Sequence, residues 1–142
     1  LFVHAGLSAR LLERDLEIET LNARMSEGLY RTSKERKEDP TLEFLYRSAG
    51  PVWYRGMVCA DEKYDPLTPE QTGALLRRYD ADRLLVGHTI FPDISTFHDG
   101  RVIAVNVQND LNRRKNRGRA VLIEGSRISV VGNRGVKRVL EE

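Results

Sequence analysis

Two short apolar runs, each leading into a histidine beside small residues, constrain what this chain can fold into. Leu1-Phe2-Val3 leads into His4-Ala5-Gly6, and Leu84-Leu85-Val86 leads into Gly87-His88-Thr89. Continuous apolar runs of this kind predict buried strands. Residues at strand ends are held rigidly in place, and imidazole nitrogen binds zinc, iron, nickel and copper. An isolated histidine at a strand end is more often a hydrogen-bonded structural residue than a ligand, but the pair together predicts a metal site. Such a site needs further ligands, since a structural zinc takes about four protein ligands and a catalytic one about three.

Each of the other candidate residues has two interpretations. Arg55 lies between Trp53-Tyr54 and Gly56. An arginine among aromatic residues favours an anion-binding role, because its planar guanidinium can bind phosphate or carboxylate with two hydrogen bonds. The alternative for Arg55 is a buried ion pair with an acidic side chain. His98 precedes Asp99-Gly100 in a predicted turn, and we expect it to be structural or exposed to solvent.

Length and composition define the class of protein. The chain has 142 residues, of which 40% are hydrophobic and 31% are charged. These values are typical of one globular domain. Apolar runs stay near five residues, whereas a membrane span needs roughly 20. We therefore expect a soluble protein without membrane partners. Its compartment stays open, with the cytoplasm favoured over secretion.

The formal net charge of +2 gives no general attraction to nucleic acid. One segment, Arg113–Arg119, is strongly basic. It predicts a solvated loop between strands, or alternatively a patch that attracts RNA or another polyanion. No aromatic residue in it offers a base a surface to stack on, so nucleic acid is the less favoured partner.

Helix signals occupy the first half of the chain. Apolar residues three and four apart predict a helix from Ile18 to Leu29. The polar stretch Arg31–Pro40 predicts an exposed arm or loop, followed by a short helix through Leu42–Tyr46. A capping box, Thr68 with Gln71, and Pro69 at the first helical position predict a helix that runs to about Tyr79.

Strand signals dominate the second half. After the strand at Arg83–Val86, two hairpins are predicted. The first pairs Ile94–Phe97 with Val102–Val107, and the second pairs Ala120–Glu124 with Arg127–Val131 through Gly125-Ser126. The order of elements predicts an α/β (α+β) domain with a mixed sheet, helices on one face and C-terminal hairpins.

The three site elements together resemble a known family. His4-Ala5-Gly6-Leu7-Ser8, Arg55-Gly56 and Gly87-His88-Thr89 look like the second half of the calcineurin-like metallophosphoesterases. The match is with their phosphoprotein-phosphatase branch and its bacterial, Shewanella-like relatives, and it spans roughly residues 2–107. The resemblance implies that His4 and His88 bind the same metal and that Arg55 binds phosphate.

The first half of that family's pattern is not found in this sequence. Gly-Asp-x-His-Gly, Gly-Asp-x-x-Asp-Arg-Gly and Gly-Asn-His-Glu supply the remaining metal ligands, the bridging aspartate and a general acid. Residues 1–142 are therefore expected to form the C-terminal part of one metallophosphoesterase domain, half of an αββα sandwich, and to be inactive alone.

The resemblance also implies a mechanism and partners. The complete domain would hydrolyse a phosphoester with two divalent ions, manganese, iron or zinc, and a bridging hydroxide. The substrate would be a phosphoprotein or a small phosphoester. Three alternatives stay open: a nucleotide or dinucleoside polyphosphate hydrolase of the same superfamily, a catalytically silent domain that uses Arg113–Arg119 to bind an acidic partner, and a truncated product without an independent fold.

Overall fold

A four-stranded mixed sheet organises the structure, a computed structural model that describes residues 1–141. The strands are β1 Phe2–Val3, β2 Leu84–Val86, β3 Ser95–Phe97, β4 Val102–Ala104, β5 Ala120–Glu124, β6 Arg127–Gly132 and β7 Gly135–Glu141. The helices are α1 Ile18–Leu29, α2 Ser33–Glu38, α3 Pro40–Tyr46, α4 Pro69–Arg78 and α5 Asn109–Arg114, with 3-10 helices at Ala9–Glu13 and Glu62–Tyr64.

The first sheet has the strand order β1-β2-β4-β3. β1 runs parallel to β2, β2 runs parallel to β4, and β3 is antiparallel to β4. The predicted mixed sheet and its first hairpin are thus confirmed, with shorter strands than the sequence indicated. Because β1 and β2 are parallel neighbours, their carboxyl ends lie at the same edge of the sheet, which brings His4 towards His88.

Alternating residues of β2 and β4 separate the core into two layers. Leu84 and Val86 pack with the helices, in a cluster that includes Leu45 and Leu75. Leu85 points the other way and packs against Ile128 and Val130 of β6, among others. This follows from the two-residue period of a strand, and it explains why β2 and β4 are both continuously apolar. The prediction that β1 is also buried is wrong, because β1 is an edge strand and Phe2 is 73% exposed.

The other face of the first sheet is covered by a second sheet. β5, β6 and β7 form an antiparallel sheet in that order. The predicted second hairpin is confirmed, and Gly125 at its turn has φ +62°, a conformation that favours glycine. β7 was not predicted. The hairpin forms a sheet of its own instead of extending the first one, because Ile128 and Val130 bury their side chains against Leu85 and Ile103.

The two principal helices agree with the sequence analysis. α1 has the predicted bounds, and α4 begins with the predicted capping box. The Gln71 N–H donates to Thr68 Oγ1 at 3.2 Å, and the Thr68 N–H donates to Gln71 Oε1 at 3.0 Å. Local hydrogen bonding of this kind can be read from sequence because its partners are only three residues apart.

The prediction of an arm or loop over Arg31–Pro40 is wrong. Most of that stretch is α2, whose capping box joins Thr32 to Glu35, and Pro40 starts α3 instead of ending an arm. Asp39 caps α3 and pairs with Arg24 of α1. α2, which has no buried residue, is thus stabilised by its capping box and by the Arg24–Asp39 ion pair at its C-terminal end.

The predicted basic loop is also partly wrong. Arg113 and Arg114 belong to the last turn of α5, and only the remainder of the segment connects to β5. In this segment Arg117 donates to Asn112 Oδ1 at 3.0 Å, and Arg119 donates to Asp93 Oδ1 at 2.9 Å. Helices within residues 1–141 are too short or too polar to cross a bilayer.

Candidate functional site

The parallel ends of β1 and β2 place the two predicted histidines side by side. The Gly87 N–H donates to the His4 carbonyl at 2.9 Å. A Cβ atom at Gly87 would lie 3.1 Å from that oxygen, closer than most such contacts. Gly87 thus permits the close approach of the two strand ends.

His88 has a left-handed backbone conformation, with φ 58°. This conformation costs free energy for a residue with a Cβ and is concentrated at functional sites. The turn it makes directs the ring back towards β1, where Nδ1 of His88 lies 3.0 Å from Nε2 of His4. The two ring centroids are 4.9 Å apart in an edge-to-face arrangement.

Arg55 joins this pair from a different part of the chain. Its Nη2 lies 3.0 Å from Nε2 of His88, and its Nη1 lies 3.5 Å from Oγ1 of Thr89. No carboxylate forms an ion pair with Arg55 among residues 1–141. The predicted alternative, a buried ion pair, is therefore not found in the described part of the chain. A half-buried guanidinium without an acidic partner is suited to binding an anion.

Backbone hydrogen bonds hold the Arg55 segment against the end of β1. The N–H of Ala5 donates to the Pro51 carbonyl at 2.9 Å, and the Ser8 hydroxyl donates to the Ala49 carbonyl at 2.8 Å. The residues that follow turn on themselves, because the N–H groups of Val58 and Cys59 both donate to the Arg55 carbonyl at 3.0 Å. The position of Arg55 is thus set by its main chain.

Two neighbours of the site were not predicted as site residues. The ring of Trp53 meets the His88 ring edge-to-face, with centroids 5.3 Å apart. Thr89 contributes the hydroxyl near Arg55. The available signal was adjacency, since Trp53 precedes Arg55 by two residues and Thr89 follows His88.

The electrostatics favour a neutral His88. Burial lowers the pKa of this imidazole, and the positive charge of Arg55 and the neighbouring His4 lower it further. At neutral pH the ring is therefore uncharged, which is the form that ligates a metal ion.

The spacing of the two histidines fits one metal ion. Two nitrogens about 2.0–2.1 Å from the same ion, at tetrahedral or octahedral angles, lie roughly 2.9–3.4 Å apart. Nε2 of His4 and Nδ1 of His88 are 3.0 Å apart, within that range. Within residues 1–141 no third His, Cys, Asp or Glu joins them to complete a cluster. The described residues thus offer two nitrogens that could ligate such an ion.

His98 lies away from this site and has a structural role, as expected. Its Nε2 lies 3.0 Å from the Met57 carbonyl, and its Nδ1 lies 3.2 Å from Oγ1 of Thr72 in α4. His98 thereby connects the β3–β4 turn to α4 and to the segment that follows Arg55.

The fold is that of solved phosphatase structures. A cold-active protein tyrosine phosphatase is 25% identical, with a TM-score of 0.83 over 97% of this chain and 38% of its own. A structure of the cold-active protein-tyrosine phosphatase of a psychrophilic Shewanella species gives a TM-score of 0.84 and 25% identity, over 98% of this chain and 40% of its own. The chain therefore has a phosphatase-like α+β fold.

Sequence comparison finds a eukaryotic relative. An uncharacterized protein of Schizosaccharomyces pombe is 30% identical over 106 residues, which are 74% of this chain and 30% of the yeast protein. No protein-family model matches the chain. The chain thus spans less than half the length of each of these relatives.

Proposed function

We propose that this chain forms part of the active site of a metal-dependent phosphatase. The observation that carries the proposal is the meeting of His4, Arg55 and His88 within hydrogen-bonding distance, although they come from separate parts of the sequence. Two potential metal ligands and a guanidinium without an acidic partner are the groups that phosphoester hydrolysis needs close together.

The proposed family is the calcineurin-like metallophosphoesterases, with residues 1–142 as the C-terminal part of their domain. The similarity to a Shewanella phosphatase supports this assignment. So does the two-ligand set. β1 supports it as well, because it is an edge strand of the described sheet and leaves room for a neighbouring segment.

His4 and His88 would hold one ion in this proposal, with the remaining ligands supplied from outside residues 1–141. A pair of bound divalent ions, manganese, iron or zinc, would lower the pKa of a water molecule enough to provide hydroxide near neutral pH. Arg55 binds non-bridging oxygens of the phosphoryl group and offsets the negative charge that they carry in the transition state.

The proton of His88 links these roles. A neutral imidazole has one donor and one acceptor nitrogen, so Nε2 of His88 accepts from Arg55 only when Nδ1 carries the proton. An imidazole that uses Nδ1 as a metal ligand carries its proton on Nε2 instead. With a metal ion bound at Nδ1, Arg55 would lose its acceptor on His88, and its Nη2 would become available to phosphate.

The substrate class is a phosphomonoester. The related structures are described as protein tyrosine phosphatases, so phosphotyrosine peptides belong among the first substrates to test. A dinucleoside polyphosphate is the second candidate, and analysis of the products from both kinds of substrate separates the two.

The test is phosphate release by the full-length gene product, with and without a chelator. We expect turnover that depends on added metal and that falls about 100-fold or more in Arg55→Ala, because the mutation removes charge stabilisation in the transition state. Arg114→Ala in α5, an equal loss of charge at an exposed position, is the matched control. Metal-independent turnover, or full activity of Arg55→Ala, would overturn the proposal.

A further inference from the structure

A cavity of about 640 Å³ opens beside Arg55, within the size range of ligand pockets. Arg55 and Trp53 both line it, and both also contact His88. The cavity therefore begins where the proposed phosphate site ends. Beyond that point its walls come from the first 3-10 helix, the segment after α3 and the second 3-10 helix.

The charge of the lining is predominantly positive. Four cationic side chains and one carboxylate, Asp65, line the cavity, and the cations are Arg10, Arg47, Arg55 and Lys63. Arg47 pairs with Glu43 at 3.0 Å, and Lys63 pairs with Asp61 at 2.9 Å.

Arg10 and Arg55 form no ion pair within residues 1–141. Neither guanidinium is neutralised by a carboxylate, although Arg55 contacts His88 and Thr89, so both leave positive charge at this cavity.

Aromatic rings supply the rest of the walls. Trp53, half-exposed, stands at the histidine end, and Tyr64 lies under the Arg55 guanidinium, 5.9 Å from ring centroid to Cζ. Tyr54 fixes the wall between them, since its hydroxyl donates to the Asp65 carbonyl. A cavity that combines rings with unpaired guanidinium groups suits a ligand that has both an apolar part and additional negative charge.

We propose that this cavity receives the leaving-group side of the substrate and selects phosphate esters that carry further negative charge there. The favoured substrate is a phosphorylated residue within an acidic peptide. The inference rests on the proposed function, because Arg55 is the residue that connects phosphate to the cavity. Arg10 is then a specificity-determining residue, which binds acidic side chains next to the phosphorylated residue.

The test measures binding rather than turnover. Trp53 is the only tryptophan of the 142-residue chain, so its fluorescence reports on ligands in the cavity. Three probes are titrated: a phosphotyrosine peptide flanked by glutamates, the same peptide flanked by glutamines, and the glutamate peptide without phosphate. Arg10→Gln is compared with Arg114→Gln, which removes an equal charge from an exposed position on α5.

We expect the glutamate-flanked phosphopeptide to bind at least about three-fold more tightly than the glutamine-flanked one, an affinity difference that one or two exposed ion pairs can supply. Arg10→Gln should abolish this preference, and Arg114→Gln should preserve it. Phosphate-dependent binding without a glutamate preference would overturn this inference and leave the proposed function intact. Binding that ignores the phosphate would overturn both.

Discussion

Nε2 of His4 lies 3.0 Å from Nδ1 of His88, although the two residues are 84 positions apart in the sequence. The contact depends on the parallel pairing of β1 with β2, on the small Gly87, and on the left-handed backbone of His88. A left-handed backbone is conformationally costly for a residue with a Cβ, and histidine adopts it more readily than most residues. His98, which has a structural role, shares this conformation with φ 51°.

The first prediction concerns metal binding by the histidine pair. The chain has three histidines, which allows all of them to be followed in one spectrum. Titration with Mn²⁺ should broaden the imidazole NMR signals of His4 and His88 first, because a paramagnetic ion relaxes nearby nuclei. His98, hydrogen-bonded to Met57 and Thr72, should stay sharp at the same concentration and is the internal control.

Replacing one histidine tests whether the pair acts together. In His88→Ala, the broadening of His4 should require roughly 10-fold more Mn²⁺ or more, since one of two ligands is lost. If His4 and His98 broaden equally in the unmodified chain, the two histidines do not form a shared ligand pair.

The second prediction is that the 142-residue chain has little or no phosphatase activity alone. Its described residues offer two ligands, fewer than the roughly three protein ligands of a catalytic zinc site. Phosphate release by the chain should be compared, at equal concentrations with added Mn²⁺ or Zn²⁺, with that of the cold-active Shewanella protein-tyrosine phosphatase, of which it spans 40%. Turnover by the chain equal to that of the Shewanella protein would show that residues 1–142 contain the whole site.

Much of this architecture could be predicted from local patterns. The helix start at Thr68, the turn at Gly125 and the periodicity of α1 all depend on residues a few positions apart, so the sequence displays them directly. The helix α2 was missed although its Thr32–Glu35 capping box is a local pattern, because its residues show no apolar stripe and none of them is buried.

Tertiary choices were harder to predict. A hairpin with alternating residues pairs equally well in either sheet, and only the packing of Ile128 and Val130 on Leu85 decides that it forms a separate one. The meeting of His4 and His88, by contrast, followed from the strand pattern. The contact of Trp53 with His88 was indicated only by the nearness of Trp53 to Arg55 in the sequence, because it depends on the path of the turn between β1 and that segment.

The third prediction concerns two glycines whose surroundings differ. A Cβ atom at Gly50 would overlap the carbonyl group of Leu45, which is backbone and unable to rotate away. Gly50→Ala should therefore lower the free energy of unfolding by about 2 kcal/mol or more. Because Gly50 directly precedes the segment that carries Arg55, this variant should also weaken the proposed phosphate site.

Gly73, in the interior of α4, is the matched comparison. A Cβ there would meet only the tips of two flexible arginine side chains, at 3.2 and 3.3 Å. Gly73→Ala should raise the free energy of unfolding by about 0.5–1 kcal/mol, because alanine loses less backbone entropy in a helix. Urea denaturation of both variants measures the two effects. Equal midpoints would contradict the packing described around Gly50.

The fourth prediction is an acid-dependent loss of stability through Asp39. The Arg24 guanidinium, together with the N–H groups of Leu42 and Thr41, holds the pKa of this carboxyl below its usual value of about 3.9. A lowered pKa in the folded state means that the unfolded chain binds more protons in acid. The stabilisation is therefore fully present above about pH 5 and is lost as the pH falls through the folded-state pKa.

Asp39→Asn isolates the charge from the cap. Asparagine keeps an oxygen that accepts from the N–H groups of Thr41 and Leu42, but it cannot form the ion pair with Arg24. The variant should melt at a lower temperature than the unmodified chain at pH 7, and the gap should close as the pH falls below 4. Lys63→Gln, which removes an exposed ion pair with Asp61, is the control and should change the melting temperature less. A gap that stays constant from pH 7 to pH 2 would show that the Arg24–Asp39 pair contributes nothing to the folded state.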